Sequence, residues 1–166
     1  MGRLNEIRVG YLKDVPMEEI PDMFVDAVIN ELGGDLEMHL DEFNSLQDIL
    51  KINYLVVQFL DQIRNNNGIY GIINSDLILL REQLMESLKE IGANETVELL
   101  EQPFTEVDKL DFDDNFGIDI ENETNLFYAC QDFMKSMALS YDEPVYDYLI
   151  RYNTAQLEGL DEEELI

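Results

Sequence analysis

Apolar residues recur along this chain every three or four positions, which is the period of an amphipathic helix. The longest such run follows Ser45, which we expect to cap a helix, with Asp48 three residues on. Its apolar positions are Leu46, Ile49, Leu50, Tyr54, Val57, Leu60 and Ile63. Because these side chains form a wide apolar face, the run predicts a long helix at the centre of the fold.

Residues that start or stop helices divide the rest of the chain. Pro21 suits the first turn of a helix that ends at Gly33. Residues 74–76, Asn-Ser-Asp, predict the cap of another helix, and Gly92 lies just past its end. The two glycines and the capping segment therefore predict the bounds of two more helices.

The second half of the chain continues the same pattern. We expect Asn94 to cap a short helix that Pro103 ends, because proline cannot donate the next backbone hydrogen bond. Another helix begins at about Thr124, and Pro144 opens the last one. No internal repeat and no alternating strand pattern interrupts the series.

These elements predict an all-α fold, a compact single-domain bundle of about six helices with an acidic loop near residues 103–122. A length of 166 residues is typical of one domain. We assign residues 1–157 to a single acidic helical domain and residues 158–166 to an acidic C-terminal tail.

The balance of charge is the unusual feature of the composition. The chain has 37 Asp and Glu against 10 Lys and Arg, a formal net charge of -27. Solubility of a small domain needs a net charge of only about 2–8 in magnitude, and a larger charge destabilises the fold by self-repulsion. A cationic partner would offset that repulsion; adaptation to high salt is the alternative.

The acidic residues are densest in the C-terminal part, where residues 98–166 hold 19 acids and 3 bases. We predict that this part carries the partner-binding acidic face. Its first tier is Asp108, Asp111, Asp113, Asp114, Asp119, Glu121 and Glu123, and its second tier is Asp142, Glu143 and Asp147. The competing interpretation is that each of these residues lies on an ordinary solvated face.

Other kinds of site have little support. Asp111, Asp113 and Asn115 fit the start of a calcium loop, but Phe116 stands where that loop needs glycine. His39 and the single cysteine, Cys130, are too few for a structural zinc site. No phosphate loop, dinucleotide fingerprint or nucleophile motif occurs. We therefore expect no metal, no cofactor and no catalytic residues.

The remaining expectations concern location and direct ligands. No apolar run reaches the roughly 18–20 residues that span a membrane. The first residues lack a secretory signal, and a single cysteine forms no internal disulfide. The chain is therefore expected in the cytoplasm, away from membranes. Its negative charge would repel a phosphate backbone, so direct nucleic-acid binding is not expected.

The segment 59–102 carries a family resemblance. A turn with Asn66, Asn67 and Gly68 is followed by a short apolar run and by Asn74 and Ser75. The segment then ends in a helix with the sequence Leu-Lys-Glu-Ile-Gly-Ala, residues 88–93. This order resembles a family of small acidic bacterial proteins typified by a DNA mimic. Ile69 departs from the family pattern, which has a second glycine there.

The resemblance implies an all-helical fold, often dimeric, so a homodimer is expected. It assigns structural roles in turns and caps to Asn66, Asn67, Gly68, Asn74, Ser75 and Gly92. The member that typifies the family occupies the DNA-binding surface of a transcription regulator, so the resemblance implies a similar role for this protein.

Together, charge and resemblance predict an acidic protein-binding module rather than an enzyme. We expect a DNA mimic that occupies the DNA-binding surface of a basic protein such as a transcription regulator. The first alternative is an immunity or inhibitor protein that neutralises a basic toxin such as a nuclease. The second is an acidic helical domain without mimicry.

Overall fold

The computed structural model describes residues 7–33, 39–64, 68–110, 122–140, 143–164 and 166. The described residues form helices and no β-strand, which confirms the all-α prediction. Six of the α-helices there are long, in agreement with the number expected, and three further ones have only five or six residues. The chain divides into two compact units, Met1–Val57 with Val145–Ile166 and Gln58–Pro144. The assignment of residues 1–157 to a single domain stays a prediction.

The first unit contains α1 (Val9–Lys13), α2 (Ile20–Leu32), α3 (Leu40–Asn44), most of α4 (Asp48–Arg64), and α9 (Val145–Glu158). A short 3₁₀ turn, Met17–Glu19, leads into α2. Phe24 and Phe43 are fully buried in its core, as is Leu149 of α9. The ring of Tyr54 packs edge-on against that of Phe43, with the two ring centroids 5.5 Å apart.

A buried amide pair joins α4 to α9 within this unit. Asn53 and Asn153 are both fully buried, and each Nδ2 donates to the other's Oδ1 at 2.7 Å. Asn53 Nδ2 also donates to the carbonyl of Ile49. Because misaligned partners would leave buried amides unbonded, the pair fixes how the two helices align.

The C-terminal residues, expected as an acidic tail, lie against the N-terminal segment of the same unit. The backbone N–H of Val9 donates to the carbonyl of Glu164, and that of Gly10 to Glu162, both at 2.9 Å. Ile166 is buried, with 1% of its surface exposed. Backbone pairing of this kind leaves no side-chain period, so the sequence pattern did not indicate it.

The second unit contains the end of α4, α5 (Gly68–Ile73), α6 (Arg81–Ile91), α7 (Asn94–Asp108) and α8 (Thr124–Ser140). α7 packs between α6 and α8, and α5 packs on α8. Ser75 caps a 3₁₀ turn, Asp76–Leu80, by accepting a hydrogen bond from the N–H of Leu77, as expected of a capping residue. Gly92 ends α6 in the left-handed region at φ 94°, also as predicted.

Three predicted boundaries are wrong. Pro103 does not end a helix: it is buried inside α7, which runs on to Asp108. The helix tolerates the lost hydrogen bond because Leu100, Phe104 and Val107 anchor it on both sides. The acidic loop therefore does not begin at residue 103, and residues 111–121 lie outside the described residues.

The other two corrections concern caps. Ser45 does not cap α4. It follows α3, and its Oγ donates to the carbonyl of Glu42. Asn94 is the first residue of α7, whose N-cap position is Ala93. In both places the chain makes a short turn before the long helix, and the apolar period does not register such a turn.

Candidate acidic binding surface

The predicted acidic face is only partly within the described residues. Six of its members lie outside them: Asp111, Asp113, Asp114, Asp119, Glu121 and Asp142. Two members of the structural motif, Asn66 and Asn67, also lie outside. Gly68 is the first residue of α5 at φ 51°, and Asn74 is exposed. The described members of the face are Asp108, Glu123, Glu143 and Asp147.

Asp108, at the end of α7, has its own cation. Arg81 donates from Nε and approaches with Nη2, both at 2.7 Å from Asp108 Oδ1. Arg81 also donates to the carbonyl of Ile78 at 2.8 Å, which fixes its position. The Asp108 side chain is half exposed, at 52%. Its charge is therefore largely compensated within the second unit.

Glu143 holds the start of α7. Its Oε2 accepts hydrogen bonds from the backbone N–H of Thr96 at 2.7 Å and from Thr96 Oγ1 at 2.8 Å. A carboxylate suits this position because the first turn of a helix has free N–H groups and a positive dipole end. The structure thus gives Glu143 a structural task, and its part in partner binding stays a prediction.

Glu123 and Asp147 are exposed. Glu123 lies directly before α8 in the second unit, and Asp147 lies in the first turn of α9 in the first unit. Neither carboxylate forms an ion pair with a described residue. Their side chains are free to meet external cations, as the prediction requires.

Sequence reasoning missed two rows of carboxylates in the second unit. On α6, Glu82, Glu86 and Glu90 are exposed and recur every four residues, which spaces them by about 6 Å along the helix axis. We call these three the α6 row. The signal was present in the sequence, but the positive charges of Arg81 and Lys89 lowered the net negative charge of the segment and concealed the row.

The second row lies on α7, the helix that packs against α6. Glu95, Glu98 and Glu101 are exposed and recur every three residues, or about 4.5 Å. We call these three the α7 row. In the part of the chain that the structure describes, no member of either row forms an ion pair.

The first unit is acidic over its surface as well. Each of its described Asp and Glu residues is exposed. Only two of them meet a basic group there: Asp48 lies 3.5 Å from Lys51, and Glu42 lies 3.3 Å from His39. Uncompensated negative charge is therefore a property of both units.

The candidate groups for other chemistry are placed as follows. Cys130 is fully buried, and burial raises the pKa of its thiol to about 12. His39 is partly exposed beside Glu42. No three His, Cys, Asp or Glu side chains among the described residues come together as metal ligands would. No helix in that part of the chain is both long and apolar enough to cross a membrane.

Comparison with known proteins finds no counterpart: no family model, no curated protein and no solved structure matches the chain. The resemblance of residues 59–102 to the DNA-mimic family stays a prediction, as does the homodimer that it implies. The function is therefore argued from the surface.

Proposed function

We propose that this protein is an acidic protein-binding module that acts as a DNA mimic. It occupies the DNA-binding surface of a basic protein such as a transcription regulator and so inhibits it. The observation that carries the proposal is the pair of carboxylate rows on α6 and α7, which are exposed and have no cation partner among the described residues.

Helical placement supports this proposal because it fixes the carboxylates before a partner arrives. Side chains on packed helices have regular spacing, so less freedom is lost on binding than for a disordered acidic tail. The Lys and Arg residues of a DNA-binding protein are already placed to meet phosphates. A rigid row of carboxylates meets the same cations and speeds association by electrostatic attraction.

The spacing sets a limit on how closely one row imitates DNA. One strand of duplex DNA carries a charge about every 3.4 Å of axis, and both strands together one about every 1.7 Å. A row with one carboxylate per about 4.5–6 Å has between half and three quarters of the charge density of one strand. The proposal therefore requires that the partner contacts both rows.

The proposal also includes a cytoplasmic location, because a transcription regulator acts where the chromosome lies. The family resemblance adds a homodimer, which would double the number of rows available to a dimeric regulator. Light scattering on the purified protein would measure that state directly.

Capture from lysate tests the proposal. The protein is immobilised at low salt, bound proteins are eluted with a salt gradient, and the eluate is identified by mass spectrometry. We expect a basic DNA-binding protein that added duplex DNA releases in competition. Retention of a toxin-like nuclease that duplex DNA does not release would instead favour the immunity alternative. If no protein is captured specifically, the result would favour the remaining alternative, an acidic helical domain without mimicry.

A further inference from the structure

A cavity of about 330 Å³ lies between the end of α7 and the start of α8, within the second unit. Glu106, Lys109 and Leu110 line it from α7 and the residues after it, and Glu123, Thr124 and Asn125 line it from the α8 side. Glu106 lies five residues after Glu101, the last member of the α7 row, on the same helix. The cavity is therefore next to the surface that we assign to the partner.

Glu106 sets this cavity apart from the rest of the acidic surface. It is the one buried carboxylate among the described residues, with 8% of its side chain exposed. Its Oε1 accepts from Gln102 Nε2 at 3.1 Å and from Lys109 Nζ at 3.0 Å. No described residue donates to its Oε2. Every buried side-chain nitrogen or oxygen in the described part of the chain has a hydrogen-bond partner, so Oε2 keeps contact with solvent and can accept a donor from outside.

The lining favours a planar organic cation over a metal ion. Glu123 supplies a second carboxylate at the cavity, exposed and without an ion pair among the described residues. No group of three His, Cys, Asp or Glu side chains that could hold a metal ion occurs in the described part of the chain. A guanidinium carries five N–H donors in a flat fork and matches carboxylate oxygens in pairs.

We propose that this cavity binds one arginine side chain of the basic partner. The guanidinium donates to Glu106 Oε2 and to the carboxylate of Glu123, while the aliphatic stem passes the apolar atoms of Leu110. This inference rests on the proposed function. It adds an enclosed contact, which the exposed carboxylate rows do not provide. An arginine enclosed in a pocket holds a complex more strongly than a surface ion pair does.

Lys109 has a defined part in this arrangement. Its ammonium lies at Glu106 Oε1, but 61% of its side chain is exposed, so it can swing into solvent. It is the resident cation that competes with the incoming guanidinium. Removing its charge should therefore strengthen arginine binding, whereas removing the charge of Glu106 should weaken it.

The test is a titration of the full-length ¹⁵N-labelled protein with N-acetyl-arginine amide, followed by two-dimensional NMR. We expect saturable shifts of the amide signals of residues 106–110 and 122–126. The matched citrulline compound, with the same shape and no charge, should bind at least about tenfold more weakly. Equal shifts with both compounds, or shifts spread over the acidic surface without saturation, would overturn the proposal.

Variants complete the test. Glu106→Gln should weaken arginine binding about tenfold, Lys109→Met should strengthen it, and Glu31→Gln, which removes the same charge from an exposed position of α2 outside the rows, should change it less than twofold. If Glu106→Gln does not fold, as circular dichroism would show, Glu123→Gln takes its place with an expected loss of several-fold. Equal weakening by Glu31→Gln and the cavity variant would contradict the inference.

The outcome is separable from that of the proposed function. A captured DNA-binding protein that binds Glu106→Gln and the wild type equally well would overturn the arginine pocket and leave mimicry in place. Saturable arginine binding with no partner that duplex DNA competes for would keep the pocket and remove mimicry.

Discussion

At the scale of single residues, carboxylates that look alike in the sequence have different tasks in the structure. Asp108 is paired with Arg81, and Glu143 is bonded to Thr96 at the start of α7. Glu106 is buried beside Lys109. A carboxylate that already has a partner contributes less to an external contact, because binding would first have to break that interaction. The free carboxylates of the helix rows are thus better binding residues than Asp108 and Glu143, whereas Glu106 keeps Oε2 without a donor among the described residues.

The task of Glu143 leads to a stability prediction. Glu143→Ala should lower the free energy of unfolding by about 1 kcal/mol, because the first turn of α7 loses its capping acceptor. Urea denaturation monitored by circular dichroism measures the change. Asp132→Ala, an exposed substitution in the middle of α8, is the control and should stay within about 0.5 kcal/mol of the wild type. Equal effects of the two substitutions would contradict the capping role.

Cys130 gives a prediction about reactivity and pH. Burial raises the pKa of its thiol from the ordinary value of 9.0 to about 12, because the thiolate would lose its hydration. Since the folded pKa is the higher one, this contribution to stability is fully present below pH about 9 and is lost as the pH rises towards 12. At pH 8 the native thiol should react with Ellman's reagent far more slowly than the urea-unfolded chain. Equal rates would show an accessible thiol.

At the scale of elements, the apolar period was enough to predict the long helices but not the short ones. α1, α3 and α5 have five or six residues, which is too short for a period of 3.6 to repeat twice. Pro103 predicted the end of a helix because proline disfavours helix interiors, but the packing of its neighbours outweighs that local preference. The carboxylate rows were missed because acidity was counted along the chain instead of along a helix face.

The α6 row has an energetic consequence that can be measured without a partner. Like charges four residues apart on a helix repel each other, at about 0.2–0.5 kcal/mol per pair. The triple variant Glu82→Gln, Glu86→Gln, Glu90→Gln should therefore be more stable than the wild type at low salt. The gain should shrink in 0.5 M NaCl, where screening already removes the repulsion. A variant that is less stable at low salt would show that the row supports the fold instead.

A matched control separates this local effect from net charge. Asp14→Asn, Glu18→Gln, Glu31→Gln removes the same three charges from scattered exposed positions of the first unit, none of them in the predicted acidic face. Urea denaturation of both variants at two salt concentrations gives the comparison. We expect a smaller gain for the scattered variant, because its charges have no close neighbours within one row.

At the scale of the whole molecule, a net charge of -27 is kept although it opposes folding. Within each unit the described helices bury their apolar faces and leave their carboxylates outside, with Glu106 of α7 as the exception. Backbone pairing of residues 162 and 164 with the N-terminal segment joins the two ends of the chain in the first unit. Residues far apart in sequence make this contact, so no local pattern predicts it. The charge itself was plain from composition, but its arrangement in rows needed the helices.

The most direct measurement is displacement of a labelled duplex from the captured DNA-binding protein, followed by fluorescence anisotropy. If the rows occupy the DNA-binding surface, the wild type should release the duplex, and the scattered-charge control should do so at a similar concentration. The α6-row variant should need at least about tenfold more protein. A complex that holds the duplex and the acidic protein together, or equal potency of the row variant and the control, would contradict DNA mimicry by these rows.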